Sequence, residues 1–418
     1  MVWSGGHRGT LRCLRDALVL IGSGRIELRR FLALVAGVAM ALQVFIVPVV
    51  ASSTPITITA DAPASVPAGH NWTFNDFFPR SLSVHRGQTI ELAVAVAGGF
   101  HTVTLLPAGM SASAGLRSLG LVQADKDDTT RNVNGTTHTL LNLGAGFPIP
   151  GGCGSAATPC SYDGTAPVST GAPLAGPVTP LDVTVNAPVG TYRFICLVHP
   201  KMRGNLNVVA DSVPATTATQ AAHHTARQIA ADLAEGWAAE NAANVHRSYR
   251  DDGVRTWIMS AGTGTPDGRV AIDEMLPANQ QIRPGDRVHW IARSVNEIHT
   301  VTFPTELHTD MVPVCEAGSA DLPAFLSVNP PTGPQDFNCG GPPVEFENGA
   351  GNGVRHVTSP ATIADSGVIA SDETTEGYGL PDSAFHPSWS ASFRGAVVGT
   401  YTYICQIHPG MAGTIVVH

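Results

Sequence analysis

The stretch GTYRFICLVHPKMRG, residues 190–204, returns as GTYTYICQIHPGMAG, residues 399–413. Each copy begins as an alternating apolar strand, Tyr192 to Cys196 or Tyr401 to Cys405. A tight His-Pro turn then leads to a last strand, Asn205 to Val209 or Thr414 to Val417. Upstream, GGFHTVTLLP around His101 matches NEIHTVTFPT around His299. Further upstream lie PRSLSVHRGQTIELAV from Pro79 and ANQQIRPGDRVHWIAR from Ala278. In the first of these Leu82 and Val84, then Ile90, Leu92, Val94 and Val96, keep a period of two; in the second Ile282, Val288, Trp290 and Ala292 take their places. That pattern predicts half-buried strands joined by a turn at Gly87 or Gly285. The cysteines Cys196 and Cys405 are 209 positions apart and His101 and His299 are 198 apart, so order, residue type and spacing all recur. This is a domain duplication. Nothing reads as a βαβ unit, and the economical architecture is all-β, two tandem sandwiches.

The repeated residues carry a metal chemistry. A distant His followed by Cys-x-x-His-x-x-Met brings two imidazoles, a thiolate and a thioether to one point. The two sets are His101, Cys196, His199 and Met202, and His299, Cys405, His408 and Met411. Soft sulfur with imidazole suits copper, and a trigonal His₂Cys set with a weak axial Met is the type 1 arrangement used to shuttle one electron. The thiolate must lose its proton to bind, so loading should weaken in acid.

With this constellation the chain resembles the cupredoxins, the blue-copper proteins. The spacing Cys196-x-x-His199-x-x-Met202, repeated as Cys405-x-x-His408-x-x-Met411, is similar to the short-loop amicyanin type. The likeness covers roughly residues 70–107 with 183–209, and 254–304 with 395–418. It implies Greek-key sandwiches holding two type 1 copper ions, one per domain. It also implies that Thr102 and Thr300 tie the ligand strand to the Cys loop. Redox partner proteins would dock at the exposed ring edges of His199 and His408, flanked by Pro200, Met202, Pro409 and Met411.

Two-domain cupredoxins also include copper nitrite reductases and small laccases, which need further copper ligands. Here Cys196 is flanked by Ile195 and Leu197, Cys405 by Ile404 and Gln406, and no His-x-His occurs in the chain. His70, His85, His138, His289, His308, His356, His386 and His418 are scattered. The expectation is an electron carrier. A copper oxidoreductase with an extra copper site, or a copper storage or delivery protein, is the alternative.

Composition and the amino terminus supply the setting. Only 14% of residues are charged, against 44 Gly and 31 Pro, which suits turns and long loops. The net charge is −9, and it is more negative still beyond residue 51, because six arginines precede it against Asp16 and Glu27. Nucleic acid is therefore an unsuitable partner. Residues 1–51 read as a signal peptide or membrane anchor: a basic stretch ending in Arg29-Arg30, then the uncharged run 31–51. The protein is expected to be exported, periplasmic or extracellular, and through residues 31–51 it could stay anchored to the outer face of the membrane. Of seven cysteines, Cys153 with Cys160 and Cys315 with Cys339 are expected to form local disulfides in that compartment. The domains read as 52–210 and 251–418. The linker 211–250 is Ala-rich and places Ile229, Leu233 and Trp237 on one helical stripe. Between His and Cys each domain carries a long Gly, Pro, Ser and Thr-rich insertion.

Overall fold

The computed structural model describes residues 55–95, 99–124, 139–173, 178–305, 335–336 and 355–418. The segment 31–51, Cys13 and the pair Cys315 and Cys339 fall outside these residues, as do His138 and His308. Among the described residues no helix is long and apolar enough to cross a membrane.

Each half is a sandwich of two sheets. In the first, one sheet orders Phe77–Phe78, Ile56–Ala60, Thr89–Val94, Leu181–Val185 and Cys160–Tyr162. The facing sheet orders Val168–Ser169, Thr104–Leu105, Gly190–Ile195, Arg203–Val209 and Ser81–His85. The second half repeats this plan. Val254–Gly264 runs parallel to Arg287–Ile291 as Ile56–Ala60 does to Thr89–Val94. Asn279–Ile282 runs parallel to Ala412–Val417 as Ser81–His85 does to Arg203–Val209. The antiparallel hairpin that carries Cys196 recurs around Cys405. Turns at Gly87 and Gly285 take φ of +85° and +100°, a region open to glycine without strain.

Alternation decides which side faces inward. Leu82, Val84, Ile90 and Leu92 are fully buried, and Phe77 meets Phe194 edge-on across the sandwich at 5.0 Å between ring centres. The second core is more aromatic: Trp290, Phe303, Phe393, Tyr401 and Tyr403 pack together. Each such side chain contributes about 1.5–3 kcal/mol when removed from water.

Three features join the halves. Trp72–Phe74 leaves the first sandwich and adds an edge strand to the second, pairing with Val270–Leu276. Helix α2, Ala218–Ala243, is the expected linker helix; Thr217 caps it in a reciprocal box with Gln220. Its Ile229 and Leu233 pack on a small cluster of Trp72, Phe74, Phe78, Val270, Ile272 and Leu276, drawn from both halves. The helix is thus a seal between the sandwiches. His223 and His224 lie on its exposed side.

The insertions contribute helices α1, Ala112–Leu119, and α3, Asp372–Tyr378. Tyr378, Leu380 and Phe385 belong to the second half yet sit in the apolar cluster of the first. The Cys153–Cys160 disulfide is formed, while Cys196 and Cys405 are free and buried.

Candidate metal centres

Each cysteine ends a strand and each short-loop His sits in the turn beyond it. The turn is closed by backbone bonds: Cys196 N–H donates to the Met202 carbonyl at 3.0 Å and Met202 N–H to the His199 carbonyl at 3.1 Å. Cys405, His408 and Met411 repeat the pattern at 2.8 and 3.1 Å. The neighbouring strand delivers His101 or His299. Thr102 N–H points at the Cys196 sulfur at 3.4 Å, and Thr102 Oγ1 accepts from Leu197 N–H at 2.8 Å. Thr300 does the same for Cys405 and Gln406 at 3.3 and 2.8 Å. These threonines tie the ligand strand to the Cys loop as the resemblance implied.

Three donors converge in each half. Cys196 Sγ lies 3.5 Å from His199 Nδ1 and 4.0 Å from His101 Nδ1. Cys405 Sγ lies 3.6 Å from His408 Nδ1, which is 3.2 Å from His299 Nδ1. In each set the donor atoms lie within 4.8 Å of one another. Met202 and Met411, at the ends of the two turns, are buried. The donors fit a soft metal ion. Each sulfur receives two backbone N–H groups, from Thr102 and Val198 or from Thr300 and Ile407, as an anionic acceptor would. Burial pushes the Cys196 thiol up, but His199 and His101 outweigh it and hold it well below the usual thiol range. Cys405 is likewise held down against burial by His299 and His408.

Different residues stand beside the two upstream rings. The Asp61 carboxylate lies 3.6 Å from His101 Nε2 and accepts Gly99 N–H at 2.6 Å. The matching place beside His299 is taken by Gly262, where a Cβ would stand 2.1 Å from Nε2. Neither upstream Nε2 has a hydrogen-bond partner among the described residues.

The short-loop rings are placed differently from expectation. His199 is only 4% exposed, and its Nε2 faces Glu297 of the second half at 3.2 Å. Pro200 is covered by α3, where a Cβ on Gly377 would come within 2.6 Å of its ring. Met202 is buried, so the docking edge expected at His199 lies inside the molecule. His408 keeps 17% of its side chain exposed, beside half-buried Ile407 and exposed Pro409. The cause is the domain interface: Asn296 Oδ1 accepts Lys201 N–H at 2.8 Å, and Asn71 Nδ2 donates to the Pro409 carbonyl at 3.0 Å.

Asp61, Glu297 and Asp273 were not singled out by sequence reasoning. Glu297 lay in view two residues before His299, but nothing in the chain order says that it faces the other domain. A third cluster was also missed. His70 Nδ1 lies 3.0 Å from Glu240 and 3.4 Å from Glu274, joining the first half, α2 and the second half. His85 and His289 are engaged by the Val213 carbonyl and Ser390.

No protein-family model matches the chain, and no curated relative matches it significantly. Among solved structures it is similar to reduced auracyanin from Roseiflexus castenholzii, with 20% identity over 38% of this chain and 98% of that one, at a TM-score of 0.20. Auracyanin A, a blue copper protein of Chloroflexus aurantiacus, gives 21%, 37%, 98% and 0.21. A copper-containing nitrite reductase from Thermus scotoductus is 12% identical over 87% of this chain and 68% of that one, with a TM-score of 0.20. Each half of the protein is a β-sandwich of two facing sheets with a His, Cys, His cluster at one end of its strands.

Proposed function

We propose that the protein is an exported electron carrier with two type 1 copper sites, held by His101, Cys196, His199 and Met202 and by His299, Cys405, His408 and Met411. The observation that carries this reading is the convergence, twice over, of one buried cysteine sulfur and two imidazole Nδ1 atoms. Copper in such a set supplies one-electron redox chemistry. The chain's own residues do the rest. Backbone N–H groups hold the sulfur as an acceptor, Thr102 and Thr300 lock strand to loop, and the sandwich cores and α3 exclude water. Holding donors rigidly keeps reorganisation on electron transfer small.

The docking face for a partner is proposed at the second site, where His408, Ile407 and Pro409 reach the surface. An acidic chain favours a basic partner. The test is substitution with copper counting. Cys196→Ser and Cys405→Ser should each lower bound copper by one equivalent and remove part of the sulfur-to-copper absorption. Unchanged copper content in either variant overturns the assignment at that site.

A second reading, a copper oxidoreductase with an additional metal, draws on the His70, Glu240 and Glu274 cluster. It requires a further copper signal together with turnover of nitrite or oxygen.

A further inference from the structure

Glu297 belongs to neither donor set, yet it stands between them. Its Oε1 accepts from Asn75 Nδ2 at 2.5 Å and lies 3.2 Å from His199 Nε2. Its Oε2 lies 3.6 Å from His408 Nε2, an ion-pair distance longer than a hydrogen bond. Both rings turn Nδ1 toward their cysteine sulfur, so both send Nε2 toward this one carboxylate. Glu297 is 5% exposed, and a buried carboxylate persists only with compensating partners. Those partners come from both halves: Asn75 and His199 from the first, His408 from the second. Asp273, hydrogen-bonded by Thr73 at 2.8 Å, stands 4.0 Å from His408 Nε2 on the other side. The arrangement is built on rigid elements, because Trp72–Phe74 is a strand of the second sandwich's sheet and Lys201 is tied to Asn296.

Resting on the copper reading above, we propose that Glu297 is a shared positioning residue that couples the two centres: it orients His199 and His408 and completes a short route for one-electron exchange between them. Oxidation adds one positive charge to a donor set, and the same carboxylate stabilises that charge in either half. An electron leaving one set arrives at the other, so one centre is oxidised as the other is reduced, with no proton or third reactant consumed. The two sites then behave as a pair inside one chain, loaded from the His408 face and reaching the buried His199 site through the interface.

Single-centre proteins isolate each effect. In Cys405→Ser the first centre remains, and in Cys196→Ser the second; adding Glu297→Gln to either should raise the reduction potential of the remaining centre. The expected size is about tenfold in the one-electron equilibrium, roughly 59 mV. Glu297→Asp, which keeps the charge, should stay near the parent. In the two-centre protein, re-equilibration after a pulse that reduces one centre should slow severalfold in Glu297→Leu and recover in Glu297→Asp. A shift in only one of these two proteins, or in neither, with copper still bound at the remaining centre, overturns the proposal. If the parent protein binds no copper at Cys196 and Cys405, the failure lies with the copper reading instead. Glutamine and aspartate variants that hold both coppers keep the test valid even where leucine disturbs folding.

Discussion

At the scale of single residues, the sites are set as much by what leaves room as by what binds. Gly262 has φ of +69° and lies against the His299 ring, so any side chain there strains the backbone and strikes Nε2. Gly262→Ala should release copper from the second centre while leaving the first loaded; equal loss from both, or from neither, would contradict this placement. Asp365 gives a pH prediction. Burial pushes it up to about 7, against hydrogen bonds from Thr302 Oγ1 and Gly367 N–H that favour the charged form. From its ordinary value of 3.8 up to about 7 the folded protein holds a proton that the unfolded chain has released. Its contribution to stability is therefore full at acid pH, declines as pH rises through that window and stays lost above it. Asp365→Asn should be more stable than the parent at pH 8, by on the order of 4 kcal/mol, and close to it near pH 4. Denaturant midpoints at the two pH values check this, and parallel curves would refute it.

At the scale of elements, α2 explains why two sandwiches hold one geometry. Trp72 Nε1–H donates to Glu240 Oε2 at 2.9 Å, and Gly236 lets the helix approach the Trp72 ring, where a Cβ would stand 2.6 Å away. Glu240→Ala leaves a buried indole N–H without its acceptor and should cost about 1–3 kcal/mol, read as a lower melting temperature; an unchanged melting point would mean that the helix is not part of the seal. The strands around each site were legible in the sequence, since alternation at Leu82 to Leu92 and the Cys-x-x-His-x-x-Met turns are local signals. The linker helix was legible for the same reason, through the spacing of Ile229, Leu233 and Trp237 in an Ala-rich stretch. The transfer of Trp72–Phe74 to the other sheet was not, because strand pairing across domains leaves no periodic trace in WTF. Nor were α1 and α3, two short helices within Gly and Ser-rich insertions. Glu297 reads in sequence as an ordinary acidic neighbour of His299, and only the packing of one domain on the other turns it toward His199. The same packing hides the ring edge that the family likeness had placed at the surface.

At the scale of the whole molecule, the duplication has been used asymmetrically. Both halves keep a His, Cys, His cluster, but in the first His199 is covered by Glu297 and Pro200 by α3, while the second keeps a partly open His408. A partner protein should therefore meet the second centre first, and added negative or neutral side chains around Pro409 should change its association rate more than changes near Pro200. Rates insensitive to substitution around Pro409 would contradict that polarity. Two type 1 copper ions per chain should be visible in electron paramagnetic resonance of the copper-loaded protein with the copper content counted. Two equivalents of copper are expected, both with the narrow hyperfine splitting of a cysteine-ligated type 1 site. One equivalent or none, or a signal of ordinary wide splitting from either half, would contradict that expectation.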